Sequence, residues 1–201
     1  MSTKKGFTLV ELMLVVVLIG IFFTMTSYMT NNTRVYQTKA ERFANDIYDT
    51  IRSARNNMII GRGVLSGTTM VVTNERTITV TNTGLITTYK YNTTSAGTEK
   101  TLVSPYYDQD AQYKITDIAI SSGGILNGNV PIWDRTGSTL SSVGIIINPN
   151  SQITMTGIGT PVIPSNSIRT IKITAGYAGF EQSIVIDRVS GTVETRKSSE
   201  D

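Results

Sequence analysis

From Leu12 to Thr33 the chain carries no charged residue, and Leu12–Phe23 is almost wholly apolar. With Phe7–Val10 in front, the run has the length of a membrane span, about 20 residues. Gly20 is its one glycine and no proline occurs before Pro105, so nothing forces a helix break anywhere across Phe7–Ile60. The chain therefore begins with a segment suited to lipid, and whatever folds in water must follow it.

Beyond the apolar run the helical period continues, but the character changes. Ala40, Ala44, Ile47, Ile51, Ala54 and Met58 recur at alternating spacings of four and three, and Phe43 widens the stripe. Arg42, Asp46, Asp49, Arg52 and Arg55 fall mostly off it. That pattern predicts an amphipathic helix with one face to bury. Gly61 and Gly63 supply the stop. A helix over Phe7–Ile60 would be roughly 80 Å long at 1.5 Å per residue. After Gly63 the sequence reads as short β-strands rich in Val, Ile, Thr and Tyr, bounded by Gly, Pro, Asn and Ser. The expected strands are Met70–Thr73, Thr77–Asn82, Leu85–Asn92, Tyr113–Ser121, Val143–Asn148, Gln152–Gly157, Ile168–Ala175, Gln182–Asp187 and Gly191–Thr195. Asn74-Glu75-Arg76 is expected as a turn, and Thr93–Gln112 and Ser122–Ser142 as loops. The resulting expectation is an α+β fold: a long N-terminal helix, membrane-spanning in its first half and amphipathic in its second, packed on a β-rich, sandwich-like head. The expected divisions are a leader at 1–6, a transmembrane segment at 7–33, an amphipathic helix at 34–62 and the head at 63–201.

Composition narrows the chemistry. The 201 residues include neither His nor Cys, which removes disulfides, Cys nucleophiles, His-based triads and most zinc sites. Charged residues are 16% of the chain, with Thr, Ser, Asn and Gly in their place, as in surface-displayed β-rich domains. Ser141-Ser142 and the many threonines have no base to activate them, and no motif supports a Ser–Lys site. No enzyme activity and no cofactor are expected. The formal charge is +3. Loss of residues 1–6 would take Lys4 and Lys5 with it, leaving 16 basic against 15 acidic residues, so the basic balance gives little support for a nucleic-acid partner.

The most informative segment is Lys4-Lys5-Gly6-Phe7-Thr8-Leu9-Val10-Glu11-Leu12. Two lysines mark the cytoplasmic side by the positive-inside rule. Glu11 sits inside the apolar helix, where an ionised carboxylate costs ~2.5–3.5 kcal/mol on insertion scales, so something must neutralise it. A free N-terminal amine on a neighbouring subunit would do so if the chain began at Phe7. A secretory signal peptide would have a shorter apolar run followed by a small-residue cleavage site, and neither is found here. A plain signal anchor accounts for the span but not for Gly6-Phe7 together with Glu11.

Gly6-Phe7-Thr8-Leu9-Val10-Glu11-Leu12 resembles the prepilin signature of type IV pilins and type II secretion pseudopilins, residue by residue. The resemblance implies that a prepilin peptidase cuts after Gly6 on the cytoplasmic side and methylates Phe7, and that Glu11 is the assembly carboxylate. It also implies other pilins or pseudopilins, a membrane assembly platform and the lipid bilayer as partners. The location implied is the cytoplasmic (inner) membrane, single-pass with the head outside, and the filament. The proline that often kinks the family's helix is missing. Ala40–Gly63, where a helix ending in the Ala54-Arg55 segment runs through a Gly into the first strand, and the closing Ile171–Ile173, Ile184–Asp187 and Ser190–Val193 are similar to the GspH/FimT class of minor pilins.

Other candidates carry less. Asp108, Asp110 and Asp117 suggest calcium, but their spacing matches no calcium-loop pattern and a solvated acidic loop explains them. Some FimT-type pilins bind DNA through Gly-Arg-x-Arg, and the matching place here reads Gly191-Thr192-Val193-Glu194, with neither arginine, although Arg188, Arg196 and Lys197 are near in sequence. A surface-displayed minor pilin that captures DNA or another ligand is thus the alternative function, with DNA the weaker partner. Trp133 reads as partly buried core, and the Tyr106-Tyr107 pair as either packing or partner contact.

Overall fold

A computed structural model describes residues 8–81, 84–92, 94–102, 110–122, 139–150, 152–160 and 168–197; at 29–31, 139–141, 157–160 and 197 only the backbone is described. The first element is the expected helix, α1, a single run of 51 residues from Leu9 to Ile59. At 1.5 Å per residue it is about 76 Å long. Its end is chemically defined. The amide of Arg62 donates to the Asn57 carbonyl (2.9 Å) and that of Gly61 to the Met58 carbonyl (3.2 Å), with Gly61 at φ +70°. This Schellman arrangement needs a left-handed residue just beyond the cap, which glycine adopts without a Cβ clash.

The two halves of α1 have different surroundings. Every described large apolar side chain from Leu9 to Tyr28 is exposed. Burial starts at Ala40 and follows the stripe read from the sequence: Ala40, Phe43, Ala44, Ile47, Ile51, Ala54 and Met58 are each 4% exposed or less. That face lies mainly on the four-stranded sheet described next.

Among the described residues eleven strands follow: β1 Val64–Ser66, β2 Thr69–Val71, β3 Glu75–Thr81, β4 Gly84–Lys90, β5 Ala96–Leu102, β6 Tyr113–Ser122, β7 Thr139–Ile147, β8 Ile153–Thr160, β9 Ile168–Tyr177, β10 Phe180–Asp187 and β11 Val193–Lys197. β1 and β2 form a small hairpin. The others make a four-stranded sheet ordered β11-β10-β9-β6 and a five-stranded sheet ordered β5-β4-β3-β7-β8, with every pairing antiparallel. Period-two alternation sets the faces. In β3, Arg76, Ile78 and Val80 point inward while Thr77, Thr79 and Thr81 point outward, half-buried. One continuous apolar cluster joins the α1 stripe to Ile78, Val80, Leu85, Val143, Ile145, Ile147 and Met155 of one sheet and to Ile171, Ile173, Ala175, Ile184 and Ile186 of the other. The expected class, a long N-terminal helix followed by a β-rich domain of several sheets, is the fold observed.

Four segments differ from their sequence reading, the first being Val64–Ser66, which is not among the expected strands and pairs with β2. Thr93–Gln112 is not all loop, because Ala96–Leu102 pairs with β4 as an edge strand, where Glu99 and Lys100 suit a solvated edge. Glu75 and Arg76 are not in a turn: they open β3, and Arg76 is only 1% exposed, with its guanidinium on the Arg62 carbonyl and on Glu99. Strand pairing also runs further into the expected Ser122–Ser142 loop at both ends, through Ser122 and from Thr139. Trp133, Asp108, Tyr106 and Tyr107 lie outside the described residues, as do Gly6 and Phe7.

Candidate processing and assembly site

Glu11 sits in the first turn of α1, three residues after the N-cap Thr8. A helix leaves its first amides without intrahelical partners, and here the two residues satisfy each other. The Glu11 amide donates to Thr8 Oγ1 (3.3 Å), while Glu11 Oε2 accepts from the Thr8 amide (3.0 Å) and from the Thr8 hydroxyl (2.9 Å). This is a capping box, and the carboxylate also lies at the positive end of the helix dipole. The sequence reading sought a partner for Glu11 on another subunit and missed the one in its own chain. The signal was present as Thr8-Leu9-Val10-Glu11, the Ser/Thr-x-x-Glu pattern ahead of an apolar run. Oε2 takes both of these bonds, and among the described residues no hydrogen bond to Oε1 is found.

Behind Glu11, α1 presents apolar side chains on all sides: Leu12 is 62% exposed, Val17 59% and Phe23 70%. It is the one helix among the described residues long and apolar enough to cross a membrane. A helix apolar all round has no soluble face, so this half is built to be surrounded by lipid or by other helices.

Residues 1–27 match the prokaryotic N-terminal methylation motif. The match supports the type IV pilin-like class, whose members are structural subunits rather than enzymes, and with it processing by prepilin peptidase, assembly with other pilins and membrane anchoring. No curated protein and no solved structure matches the chain.

Where α1 enters the head, aromatic and charged groups hold it. Lys39 Nζ donates to Tyr177 Oη (2.9 Å) and stands 4.4 Å from the centre of that ring. Tyr177 Oη in turn donates to Asp110 Oδ2, and Lys39 and Asp110 form a 4.0 Å ion pair. Tyr113 packs on Tyr177 (4.6 Å between centroids) and Phe43 on Tyr113 (5.4 Å). The hydrogen bond from Tyr177 is the main cause holding Asp110 below the usual carboxylate range, and the bond to Tyr177 holds Lys39 above its own. Asp110, one of the three calcium candidates, is thus part of this clamp, while Asp117 lies in β6. Among the described residues no three acidic side chains gather as a metal group.

At the C-terminal motif, Gly191 has φ +65°, and Arg55 of α1 donates from Nη1 to its carbonyl. A Cβ on Gly191 would come within 2.5 Å of Arg55 Nη2, so glycine permits this close approach. Arg196 pairs with Glu194 (3.1 Å) and Arg169 with Asp187 (3.6 Å). Arg55, Arg169 and Arg196 are thus turned onto acceptors of the chain itself, whereas Arg188 Nε is buried and, among the described residues, has no hydrogen-bond partner.

Proposed function

We propose that this chain is a minor pseudopilin or pilin subunit of the GspH/FimT kind. In this reading prepilin peptidase hydrolyses the Gly6–Phe7 bond, releasing residues 1–6, and methylates the new amine of Phe7. The transmembrane segment is then 7–33, the amphipathic helix 34–62 and the head 63–201. The head stands outside the cytoplasmic membrane until the subunit is drawn into a type II secretion pseudopilus or a type IV pilus through the assembly platform.

The observation that carries this reading is the join between a capped carboxylate and a helix exposed on every side, within the span of the methylation motif. The amine of Phe7 and the carboxylate of Glu11 are both costly in hydrocarbon unless paired. A carboxylate has about four acceptor sites, so the bonds to Thr8 leave room for a neighbour's amine. Those bonds also hold the side chain in one rotamer, which lowers the entropy lost when the neighbour docks. Glu11 would fix axial register, and the surface of Leu12–Phe23 would supply most of the contact area.

Intact-mass measurement of protein purified from membranes tests the processing step: loss of residues 1–6 and gain of one methyl group are expected, and a terminus beyond the apolar run refutes it. Glu11→Leu tests assembly. It should insert and be cut as the parent is, yet be depleted from sheared filament fractions and from crosslinks to other pilins. Incorporation equal to the parent would mean that Glu11 does not set register.

A further inference from the structure

Where α1 gives way to the β1–β2 hairpin, apolar side chains gather on the outside of the head. Ile59, Ile60, Leu65, Met70 and Val72 are between 50% and 78% exposed. They form one surface. The Thr73 hydroxyl donates to Met58 Sδ at 3.2 Å, which brings their neighbours in sequence, Val72 and Ile59, together. Leu65 stands opposite Met70 in the hairpin register, and Val72, two residues on, shares the Met70 face. Gly63 ties the hairpin to the helix end, since a Cβ there would come within 2.8 Å of the Val71 carbonyl oxygen. Val64 and Val71, on the other face of the hairpin, are half-buried. Among the described residues beyond α1, the other exposed large apolar side chains are Ile86 in β4 and Val189 after β10, which belong to different sheets. Single exposed apolar residues are ordinary, whereas a contiguous group marks an interaction surface.

Three observations say what covers it. The first is height. Ile59 stands about 46 Å along the helix beyond Tyr28 at 1.5 Å per residue, and the apolar run before Tyr28 already spans a hydrocarbon core about 30 Å thick. Even at a tilt of about 20° the surface is clear of the subunit's own bilayer, so its occupant is protein and not lipid. The second is charge. Arg62 is exposed, is the one charged residue from Ile59 to Asn74, and makes no ion pair among the described residues. Arg76 behind it adds to the positive field. Two copies packed patch to patch would bring two such arginines together with no carboxylate from either side, and like charges across an interface are costly. The third is size. Five apolar side chains fall well short of the roughly 20–30 residues a side of a stable free complex, so the contact suits partners already held close by another attachment.

We propose that the surface made by Ile59, Ile60 and the β1–β2 hairpin docks on the head of a different pilin-type subunit in the same assembly. That head lays apolar side chains on Leu65, Met70 and Val72 and turns a carboxylate onto Arg62. The inference rests on the proposed function, because it is the joining of α1 helices that holds the two heads close. Affinity then comes from the helices, and the Arg62 pair selects which neighbour is accepted, since a partner without the carboxylate would leave the arginine desolvated and unpaired.

The test is photo-crosslinking of the full chain in its own membranes and in sheared filament fractions. A benzophenone amino acid replaces Met70 in one chain, Thr195 on the exposed β11 edge in a second as control, and Ile19 in the apolar half of α1 in a third, with the joined peptides identified by mass spectrometry. The Met70 probe should join the head of a different chain that carries the N-terminal methylation motif, at a segment with an apolar side chain and an Asp or Glu. Its yield should exceed that of the Thr195 probe and fall about fivefold or more with Arg62→Glu, while Arg62→Lys keeps most of it. Leu65→Asp should weaken the same crosslink and repeats the test should Arg62→Glu disturb folding, which the melting temperature of the purified chain reports. Crosslinks from Met70 to lipid, to a second copy of this chain alone or to a protein without the motif would overturn the proposal, as would a yield no higher than that from Thr195 or one indifferent to Arg62→Glu and to Leu65→Asp. Pilin crosslinks from Ile19 without any from Met70 would sink this inference and leave assembly standing; their absence from both positions would sink assembly as well.

Discussion

The division of α1 into a half that folds the head and a half that does not can be measured. A chain beginning at Arg34 would lose Leu9–Thr33, whose described large apolar side chains make no buried contact with the head. It keeps the whole buried stripe from Ala40 to Met58. Its unfolding free energy should match that of the parent in the same detergent to within about 0.5 kcal/mol, as for changes away from packed sites. It should also be soluble and monomeric and show β-rich circular dichroism. In that background Phe43→Ala removes a fully buried ring (0% exposed) that packs edge-on to Tyr113. Removing such a ring typically costs ~3–5 kcal/mol, of which ~0.5–1.5 kcal/mol belongs to the aromatic pair. For a domain of this size the melting temperature would fall by roughly 6–20 °C, at about 2–4 °C per kcal/mol. Ile19→Ala in the full chain, at a position 51% exposed, should leave head unfolding unchanged. Thermal and urea unfolding followed by circular dichroism read all three. An unfolded Arg34 chain would refute the division, and a loss below about 1 kcal/mol for Phe43→Ala would refute the packing reasoning.

Three further outcomes are expected. Glu99→Ala should cost about 2 kcal/mol by stranding the buried Arg76 guanidinium, whose Nε and Nη1 have no partner among the described residues, whereas Glu99→Ala with Arg76→Met should recover most of it; a double variant no more stable than the single would contradict this, with urea unfolding as the readout. Gly61→Ala should destabilise by ~1–2 kcal/mol from left-handed strain alone, since among the described residues no atom beyond its chain neighbours lies within 4 Å of the added Cβ. Burial pushes the Asp187 carboxyl up, but the Ser190 amide and hydroxyl, the Val189 amide and Arg169 together hold it below its usual range. Its contribution is therefore fully present above the unfolded value of about 3.9 and is lost as pH falls through the lower folded one. The stability gap between parent and Asp187→Asn should stay constant from about pH 5 to 7 and close below about pH 4; a gap that widens on acidification would reverse the sign and sink the reasoning.

Much of the fold was legible because it is carried by local periodicity. The 3.6-residue stripe named the buried face of α1, and Val/Ile alternation located most strands. The misreadings share a cause. Ala96–Leu102 and Glu75-Arg76 are polar by composition, and only tertiary pairing makes them strand: one is a solvated edge, the other places a buried arginine beside a carboxylate from a strand later in the chain. Sheet order was not legible either, because β3 pairs with β7 and β6 with β9 across long stretches of chain. At the candidate site the position of Glu11 was legible, and the capping box was written in four consecutive residues without being read.

That capping box changes how the carboxylate should be understood. A bare Glu11 in an apolar helix would be a liability until a neighbouring amine arrived, so each subunit would wait in the membrane with an unsatisfied charge. With Thr8 donating twice to Oε2, the waiting state is itself partly satisfied. On the proposed assembly, pairing with a neighbour would add to an arrangement already formed, so the orientation of the carboxylate would be a property of the single subunit. Thr8→Val probes the second contribution, since it keeps the charge and the bond from the backbone amide and removes the hydroxyl's share in fixing the rotamer. If Glu11 acts by charge alone, Thr8→Val should enter filaments as the parent does. If pre-orientation matters, incorporation should fall between those of the parent and Glu11→Leu, with membrane insertion unchanged. Crosslinking yield in sheared filaments, normalised to membrane content, distinguishes the two outcomes, and a loss as deep as that of Glu11→Leu would mean that the hydroxyl, rather than the charge, governs assembly.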